Sequence, residues 1–471
     1  MSSILGIILG NRDFFPDSLI TEARKQLTTL FAELDVHPIW LSPGDTKLGD
    51  VQGWTDAVKC GELFRAHHAG IEGILVCLPN FGDEKALSDA IRLSELNVPI
   101  LVQACPDDLD AFGLDRRRDA FCGKISACNN LRQYGLKYTL TRDHTVAITS
   151  LRFREDLQNF LATCRVTRGL RRVRLGAIGA RPNAFNTTRF SEKLLEASGI
   201  SVNTIDLSEV FGTTALIVDT DVRVKDRIEQ IRSYADASSA PDASLVKMAK
   251  FAIVVDDWMR DLGLTATAIQ CWSSMQKNYG VNVCTIMSMM SEQMLPSACE
   301  VDIAGVVSMY ALQLASGKPS ALVDWNNNYG DDLDKCVLFH CGNWAKDFLP
   351  DIRIGTAPIL GTVLGEENTV GALEGRTPAG PLTFGRVSTD DLNGKIRAYV
   401  GDALFTDDPL STFGTRAVAQ IPKLQKLMQV ICRNGFEHHA AMNASHCARP
   451  VAEALGNYMG WDVYHHSAAE V

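Results

Sequence analysis

The sequence predicts an α/β fold in which two tandem doubly wound domains precede a β-rich, small barrel-like C-terminal domain. The first observation is that apolar strand-like runs alternate with helix-period segments from the N-terminus onward. The second is that a similar series begins near residue 173, after an arginine-rich stretch. The third is that beyond about residue 330 the runs become short and are interrupted by Gly and Pro. Regular strand and helix alternation is typical of a covered parallel sheet, whereas short interrupted strands are typical of a meander or barrel.

The first predicted domain covers residues 1–165. We expect strands over residues 4–9, 36–41, 73–78 and 98–102, and helices over residues 18–34 and 83–96. In the first helix, apolar side chains recur at steps of three and four residues, as in Ile20, Ala23 and Leu27. These side chains therefore share one face, which is expected to pack on the sheet.

The second predicted domain covers residues 166–318 and is also Rossmann-like. We expect strands over residues 173–178, 200–207 and 265–270. Helices are expected over residues 189–197 and, after a polar interval at 235–244, through residue 256. The third predicted domain covers residues 319–471. Its glycine-bounded runs at 380–387 and 394–400 are typical of barrel strands, and helices are expected near its end.

The composition argues against several classes of protein. Forty-six basic and fifty-six acidic residues give a formal charge of −10, which disfavours nonspecific nucleic-acid binding. The apolar run at residues 4–9 is far shorter than the roughly 18 residues of a membrane helix and follows no basic segment, so no membrane span or signal peptide is expected. Thirteen cysteines without CxxC spacing fit reduced thiols. We therefore expect a cytoplasmic protein.

Residues that follow predicted strands are candidates for ligand contact, because open α/β sheets bind ligands beyond the carboxyl ends of their strands. Two junctions carry such candidates: Asn80, Phe81 and Asp83 at the first, and Arg181, Asn183, Asn186 and Arg189 at the second. The second junction lacks a complete GxGxxG motif, which disfavours NAD. Its residues suit a hydroxylated or anionic ligand, and the alternative is a solvated loop.

Two carboxylates form the strongest signal in the sequence. Asp324 ends an apolar strand, and Glu300 follows a turn and is expected to open a helix. A carboxylate held next to buried, apolar structure costs free energy unless it is paired, hydrogen-bonded or bound to a cation. The two carboxylates together therefore suggest a divalent metal. The alternative is that one caps a helix and the other forms a salt bridge.

Three of the ten histidines cluster near the C-terminus, at His438, His439 and His446. Adjacent histidines do not share a face, so we expect only one of His438 and His439 to be directed at a given metal. Two carboxylates and one neutral imidazole would make a partly open site suited to Mn²⁺ or Mg²⁺, with positions left for water or vicinal hydroxyls.

These residues resemble the L-fucose and L-arabinose isomerase family. In that family a Glu and an Asp 24 positions apart bind Mn²⁺ together with a distant His, and a second His follows seven positions later. Glu300 and Asp324 reproduce the first interval, and His439 and His446 reproduce the second. The resemblance covers nearly the whole chain and implies Glu300, Asp324 and His439 as metal ligands, with His438 as the alternative to His439.

The resemblance also implies a function, which is aldose–ketose isomerisation through a cis-enediol. Mn²⁺ would be the cofactor, with Mg²⁺ or Co²⁺ as alternatives and no organic cofactor, and Glu300 and Asp324 would shuttle protons in either order. The relatives are homo-oligomers in which the N-terminal domain of one subunit covers the active site of another. We therefore expect a trimer or hexamer with its active site near a subunit interface, where Arg12 makes a cross-subunit contact.

We expect the sugar to be bound by polar and aromatic residues of the cleft, although each could instead serve ordinary packing. The predicted contacts are Arg12, Asn80, Phe81, Asp83, Arg181, Asn183, Asn186, Arg189, Gln270, Trp272, Asn326 and His438. Arg181 and Arg189 leave room for an anionic substituent such as a sulfonate, because arginine presents a fork of donors to oxyanions. Two other hypotheses are a sugar-binding sensor without catalysis and an NAD-dependent sugar oxidoreductase.

Overall fold

The structure is a computed structural model that describes residues 2–110 and 112–467. The chain divides into two compact units. The first comprises the residues up to 168 together with 457–460, and the second comprises residues 169–456 and those from 461 onward. Among the described residues, no helix combines the length and the apolar character that crossing a bilayer requires.

The first unit is built on a five-stranded parallel sheet. Its strands are β1 (Ser3–Leu9), β2 (Val36–Ile39), β3 (Gly73–Leu78), β4 (Ile100–Ala104) and β5 (Thr139–Leu140), in the order β2-β1-β3-β4-β5. Its helices are α1 (Asp17–Glu33), α2 (Trp54–Ala66), α3 (Glu84–Ser94), α4 (Ala120–Gln133) and most of α5 (Leu151–Leu170). The predicted α/β arrangement of this region is confirmed.

The two faces of this sheet are buried in separate apolar cores. In β3, Leu75 and Cys77 belong to the core that contains residues of α1 and α5, whereas Ile74 and Val76 belong to the core that contains residues of α2, α3 and α4. This follows from the period of two in a strand, which sends successive side chains to opposite faces. Helix α2 was not predicted, because part of its buried stripe consists of small residues such as Ala57 and Gly61, which give a weak pattern.

The second unit begins with a four-stranded parallel sheet. Its strands are β6 (Arg174–Ile178), β7 (Ser201–Ile205), β8 (Ala266–Ile269) and β9 (Ser297–Cys299), in the order β7-β6-β8-β9. The helices are α6 (Glu192–Ala197), α7 (Leu207–Leu216), α8 (Val222–Tyr234), α9 (Asp242–Leu262), α10 (Cys284–Glu292) and α11 (Ile303–Ser316). The strand predicted over residues 200–207 ends earlier, because the side chain of Asp206 accepts the Ser208 amide hydrogen and caps α7.

The remainder of the second unit is β-rich. Its strands are β10 (Ser320–Tyr329), β11 (Asp332–His340), β12 (Arg353–Gly355), β13 (Ala372–Arg376), β14 (Gly380–Asp390), β15 (Lys395–Thr406), β16 (Thr415–Gln420), β17 (His439–Asn443) and β18 (Asp462–His466). Its helices are α12 (Pro358–Leu364), α13 (Leu424–Arg433) and α14 (Ala448–Glu453). The nine strands are ordered β12-β13-β16-β11-β10-β17-β14-β15-β18. An additional pairing of β15 with β16 closes six of them into a ring, which confirms the predicted barrel.

One apolar core runs through the second unit, from the parallel sheet into the barrel. Ile178 and Ile269 of the sheet belong to the same buried cluster as Leu338 and Phe384 of the barrel. The carboxyl ends of β8 and β9 are thereby fixed in relation to the barrel strands β10, β11 and β17. The candidate site lies among the residues of these elements.

Candidate active site

Glu300 lies in a tight turn between β9 and α11. Glu300 and Val301 are both left-handed, each with a φ of 55°, and Asp302 then caps α11 by accepting the Gly305 amide hydrogen at 2.8 Å. Glu300 was predicted to open the helix, and that prediction is wrong by three residues because the turn intervenes. A left-handed conformation is unusual for a glutamate and strained for a β-branched valine, so the structure holds this turn against a local preference.

Asp324 lies within β10, between β11 and β17. It is opposite Phe339 of β11 and His439 of β17. The prediction that Asp324 ends its strand is wrong, because only the apolar part ends at Val323 and the strand continues to Tyr329. The pairing with β17 nevertheless places a carboxylate directly across from a histidine.

The three residues proposed as metal ligands come together around one nitrogen atom. His439 Nε2 lies 3.6 Å from Glu300 Oε2 and 3.4 Å from Asp324 Oδ1. Both carboxylate oxygens are buried and have no hydrogen-bond partner among the described residues. Burial raises the pKa of Glu300 and of Asp324, although the neighbouring His439 opposes both shifts. We call Glu300 and Asp324 the open carboxylate pair.

These atoms are suitable donors for a divalent cation. His439 Nε2 is close enough to each carboxylate oxygen to share an ion with it, but among the described residues no group of donor atoms that all lie within 4.8 Å of one another contains both Glu300 and Asp324. His439 belongs to two donor groups, one with Glu300 and His340 and the other with Asp324 and His438. His438 Nε2 lies 3.4 Å from Asp324 Oδ1, so the predicted alternative ligand also lies at the site.

Behind His439 lies a second set of charges, which we call the paired charge cluster: Asp302, Arg386 and Glu437. Arg386 binds Asp302 through two nitrogens, at 2.5 and 2.9 Å, and Glu437 at 3.1 Å. Asp302 Oδ2 lies 2.8 Å from His439 Nδ1. Burial alone would raise the pKa of Asp302, but Arg386 and His439 outweigh it and hold that pKa below its ordinary value.

The paired charge cluster fixes which nitrogen of His439 carries the proton. Because Asp302 is ionised and can only accept, His439 Nδ1 donates to it. The lone pair of a neutral His439 is then on Nε2, the atom that faces Glu300 and Asp324. A carboxylate behind the ring is the usual means of orienting a metal-binding histidine. None of the three residues of the cluster was predicted, although Arg386 could have been noticed as a charge in the strand-like run 380–387.

A cavity of about 270 Å³ opens onto this site. The predicted residues that line it are Glu300, Asp324, Trp272, Asn326, His438 and His439. Lining residues that were not predicted are Phe185, Phe339, His340, Cys341, Thr356, Ala357, Ile359, Leu360, Phe413 and Gly414. Trp272 Nε1 donates to Glu300 Oε1 at 2.7 Å, which leaves Oε2 as the glutamate oxygen nearest His439.

The loop after β6 presents an aromatic residue to the cavity. Phe185 contacts Trp272 with ring centroids 4.9 Å apart, and it stacks on His439 at 6.1 Å. The predicted polar residues of this loop, Arg181, Asn183, Asn186 and Arg189, are not among the lining residues; Arg181 and Arg189 bind backbone oxygens of the loop itself.

Gln270 is likewise absent from the cavity lining. Its side-chain oxygen accepts the Ala180 amide hydrogen at 2.9 Å, so it supports the loop after β6.

The predicted residues of the first unit gather at the ends of β1 and β3. Arg12 donates to the Gly82 carbonyl at 3.0 Å, lies 4.3 Å above the Phe81 ring and forms an ion pair with Glu84. Asn80 donates to Asn11 at 2.6 Å, and Asp83 caps α3. The structure therefore brings Arg12, Asn80, Phe81 and Asp83 into one neighbourhood within this unit.

Comparisons with known proteins agree for both ends of the chain. Residues 6–171 match the family model described as fucose/sulfoquinovose isomerase, N-terminal domain, and residues 338–466 match that described as L-fucose isomerase, C-terminal domain. A sulfoquinovose isomerase of Alkalicoccus urumqiensis is 24% identical over 302 residues, which cover 64% of this chain and 66% of the relative.

Two further relatives bear the same name. The sulfoquinovose isomerase of Priestia aryabhattai is 22% identical over 403 residues, 84% of each chain. That of Clostridium sp. (strain MSTE9) is 25% identical over 343 residues, which cover 69% of this chain and 71% of the relative.

Proposed function

The chain belongs to the L-fucose isomerase family and is an aldose–ketose isomerase, and from this we propose that it isomerises a sulfonated aldohexose with the help of a divalent metal. The curated relatives are sulfoquinovose isomerases, which favours a sulfonated sugar over L-fucose as the substrate. A sugar-binding sensor and an NAD-dependent oxidoreductase were the alternatives. Neither accounts for the open carboxylate pair, and the family assignment favours the enzyme.

One observation carries the metal dependence. Two buried carboxylate oxygens without partners flank an imidazole nitrogen whose lone pair is directed at them. Buried charges are normally paired or bound to a cation, so this arrangement favours an ion held by Glu300, Asp324 and His439. When bound, Mn²⁺ or Mg²⁺ would act as a Lewis acid toward the carbonyl and the neighbouring hydroxyl of the sugar.

The residues of the chain supply the proton transfer. Isomerisation through a cis-enediol removes a proton from C2 of the aldose and delivers one to C1, and the proton of the C2 hydroxyl is transferred to the oxygen at C1. Glu300 and Asp324 each lie close to His439 Nε2, and burial raises the pKa of each carboxyl, which favours its acceptance and return of a proton. Trp272 holds Glu300 Oε1, which keeps the reacting carboxylate from rotating.

We further propose how the anionic substituent is bound. The described side chains that line the cavity include no lysine and no arginine, so a sulfonate bound there requires a cationic side chain from outside this lining. The predicted candidates are Arg181 and Arg189 of the loop that carries Phe185, and Arg12 of a neighbouring subunit in a homo-oligomer. Gln270, Asn80, Phe81, Asp83, Asn183, Asn186, Asn326 and His438 remain predicted sugar contacts.

The test is a substrate panel followed by NMR in D₂O. Sulfoquinovose, L-fucose and D-arabinose are incubated with the protein and Mn²⁺, and parallel samples contain EDTA. We expect ketose formation from sulfoquinovose, with loss of turnover in EDTA and recovery when Mn²⁺ is restored. Full turnover in EDTA would refute the metal requirement, and turnover of L-fucose in preference to sulfoquinovose would refute the substrate.

A further inference from the structure

His340 is a buried histidine in the cavity that no predicted ligand set includes. It is the last residue of β11, its side chain is 2% exposed, and it lines the cavity beside Glu300. His340 Nε2 lies 3.7 Å from Glu300 Oε2. On distance alone His340 could be a further metal ligand, since it lies with Glu300 and His439 in one group of metal-binding residues.

The hydrogen bonds of the two rings give them different roles. The Cys341 amide donates to His340 Nδ1 at 3.0 Å, so Nδ1 carries the lone pair and a neutral ring carries its proton on Nε2. In a neutral His439 ring the proton is on Nδ1 and the lone pair on Nε2, because Nδ1 faces the ionised Asp302. Both rings direct Nε2 at Glu300, but only His439 presents a lone pair there. His340 could ligate a cation through Nε2 only if its proton moved to Nδ1, which would break the hydrogen bond from the Cys341 amide.

We propose that His340 is a catalytic residue that donates a hydrogen bond from Nε2–H to a substrate oxygen next to Glu300, and that it is not a metal ligand. The distance of 3.7 Å between His340 Nε2 and Glu300 Oε2 is longer than a hydrogen bond. The Nε2–H group is therefore available to an oxygen that enters the cavity. This inference rests on the proposed function for the identity of that oxygen. The assignment of the ring nitrogens does not depend on it.

The contribution of such a donor is electrostatic. Removal of a proton from the carbon beside a carbonyl places negative charge on the carbonyl oxygen, and a preorganised N–H directed at that oxygen stabilises the charge. A neutral imidazole held with its proton on the substrate side serves this purpose in a known enolising isomerase. The proton of His340 stays on its nitrogen throughout, and the proton exchange between C1 and C2 remains with the carboxylates.

The first experiment separates a donor from a ligand. His340→Ala, His340→Gln and the exposed control His67→Ala are compared with the wild type for Mn²⁺ affinity by calorimetry and for steady-state kinetics with sulfoquinovose. We expect His340→Ala to lower kcat about 10²–10³-fold with little change in KM, and His340→Gln, which keeps a side-chain donor, to recover a substantial part. Mn²⁺ affinity should stay within about threefold of the wild type in both variants.

Two results would overturn the proposal. If His340→Ala weakened Mn²⁺ binding by more than about tenfold, His340 would be identified as a ligand. If a folded His340→Ala variant kept the kcat of the wild type, His340 would have no role in the reaction.

The second experiment needs no substrate. In ¹⁵N-histidine-labelled protein, with the His340 signals identified from His340→Gln, we expect an Nε2–H signature for His340 and an Nδ1–H signature for His439. The opposite signature for His340 would refute the donor assignment even in an active enzyme. If the wild type isomerises no sugar, the proposed function fails, and the tautomer and Mn²⁺ affinity still decide whether His340 is a donor or a ligand.

Discussion

Glu300 and Asp302 are separated by one residue, but they lie in opposite electrostatic surroundings. Asp302 belongs to the paired charge cluster, where Arg386 and His439 satisfy both of its oxygens. Glu300 belongs to the open carboxylate pair, where one oxygen accepts a hydrogen bond from Trp272 and the other has no hydrogen-bond partner in the described part of the chain. Both side chains are almost completely inaccessible to solvent. Burial therefore does not distinguish a structural carboxylate from a reactive one.

The difference lies in the pairing. Buried charges that are paired contribute little net stability as a set, but removing one partner is costly because the other charge is left unpaired. Buried charges without partners destabilise the metal-free protein and are available to a cation or a proton. The paired charge cluster should therefore control stability and orientation, whereas the open carboxylate pair should control activity, and the following predictions test this division.

The largest effect is expected for the open carboxylate pair. Glu300→Gln and Asp324→Asn should each lower kcat by about 10²–10⁴-fold, because each removes a group that we propose as both proton acceptor and metal ligand. The metal-free variants should unfold at the same temperature as the wild type or higher, because an unpaired charge is lost. Turnover and calorimetric melting in EDTA are the measurements, with exposed Glu62→Gln as control. Near-normal turnover in either variant would show that the substituted carboxylate is structural and not catalytic.

The two adjacent histidines should differ in their effect on metal binding. His439→Ala should weaken Mn²⁺ binding by more than about 100-fold, since it removes the nitrogen that we propose as the ligand, whereas His438→Ala should have a much smaller effect. Burial and the neighbouring His439 lower the pKa of His438 to about 4, so it is neutral at working pH and contributes no charge. Equilibrium dialysis with Mn²⁺ measures both affinities. The reverse order would make His438 the ligand.

Arg386 should be the most sensitive position for stability. Arg386→Met leaves Asp302 and Glu437 as uncompensated buried charges, which should reduce the free energy of unfolding by about 3–5 kcal/mol. Arg260→Met is the matched control, because Arg260 forms exposed ion pairs with Asp257 and Asp261, which contribute little. Urea unfolding of the metal-free proteins measures the difference. Equal losses in both variants would show that the cluster is not energetically special.

Asp302 should affect the metal through the orientation of His439. Asp302→Asn should weaken Mn²⁺ binding by about 10–100-fold, because an amide no longer fixes the Nδ1–H form of the ring. The ¹⁵N signals of His439 should show a mixture of tautomers in this variant. A single unchanged tautomer together with weaker binding would contradict the orienting role.

The smallest effect concerns pH. Because burial raises the pKa of Glu300 above its unfolded value, the ionised form destabilises the metal-free protein at high pH, and this penalty disappears as pH falls through the raised pKa. The stability advantage of Glu300→Gln over the wild type should therefore be present at about pH 8 and shrink toward about pH 5. Melting curves in EDTA across this range measure it. A constant difference would mean that the pKa of Glu300 is the same in the folded and the unfolded protein.

The fold and the three proposed ligands were accessible from the sequence for different reasons. Periodicity predicts the strands and helices because it records which faces are buried, and the interval between Glu300 and Asp324 is a local feature of the chain. Arg386 and His340 were not predicted because their roles depend on partners far away in sequence, such as Asp302 and Glu300. The turn at Glu300 was missed because left-handed residues are normally marked by glycine or asparagine, and Glu and Val give no such signal.

That left-handed turn places heat resistance and the proposed catalytic role of Glu300 in conflict at one position. Each residue held in this conformation costs on the order of 1–3 kcal/mol, and glycine would adopt it without that cost. A library of variants selected only for survival on heating should therefore accumulate glycine or asparagine at position 300, which would relieve backbone strain and remove an unpaired charge together. The selected variants would be heat-resistant and inactive. A screen for a more thermostable enzyme therefore has to select for turnover as well, so that the glutamate is retained.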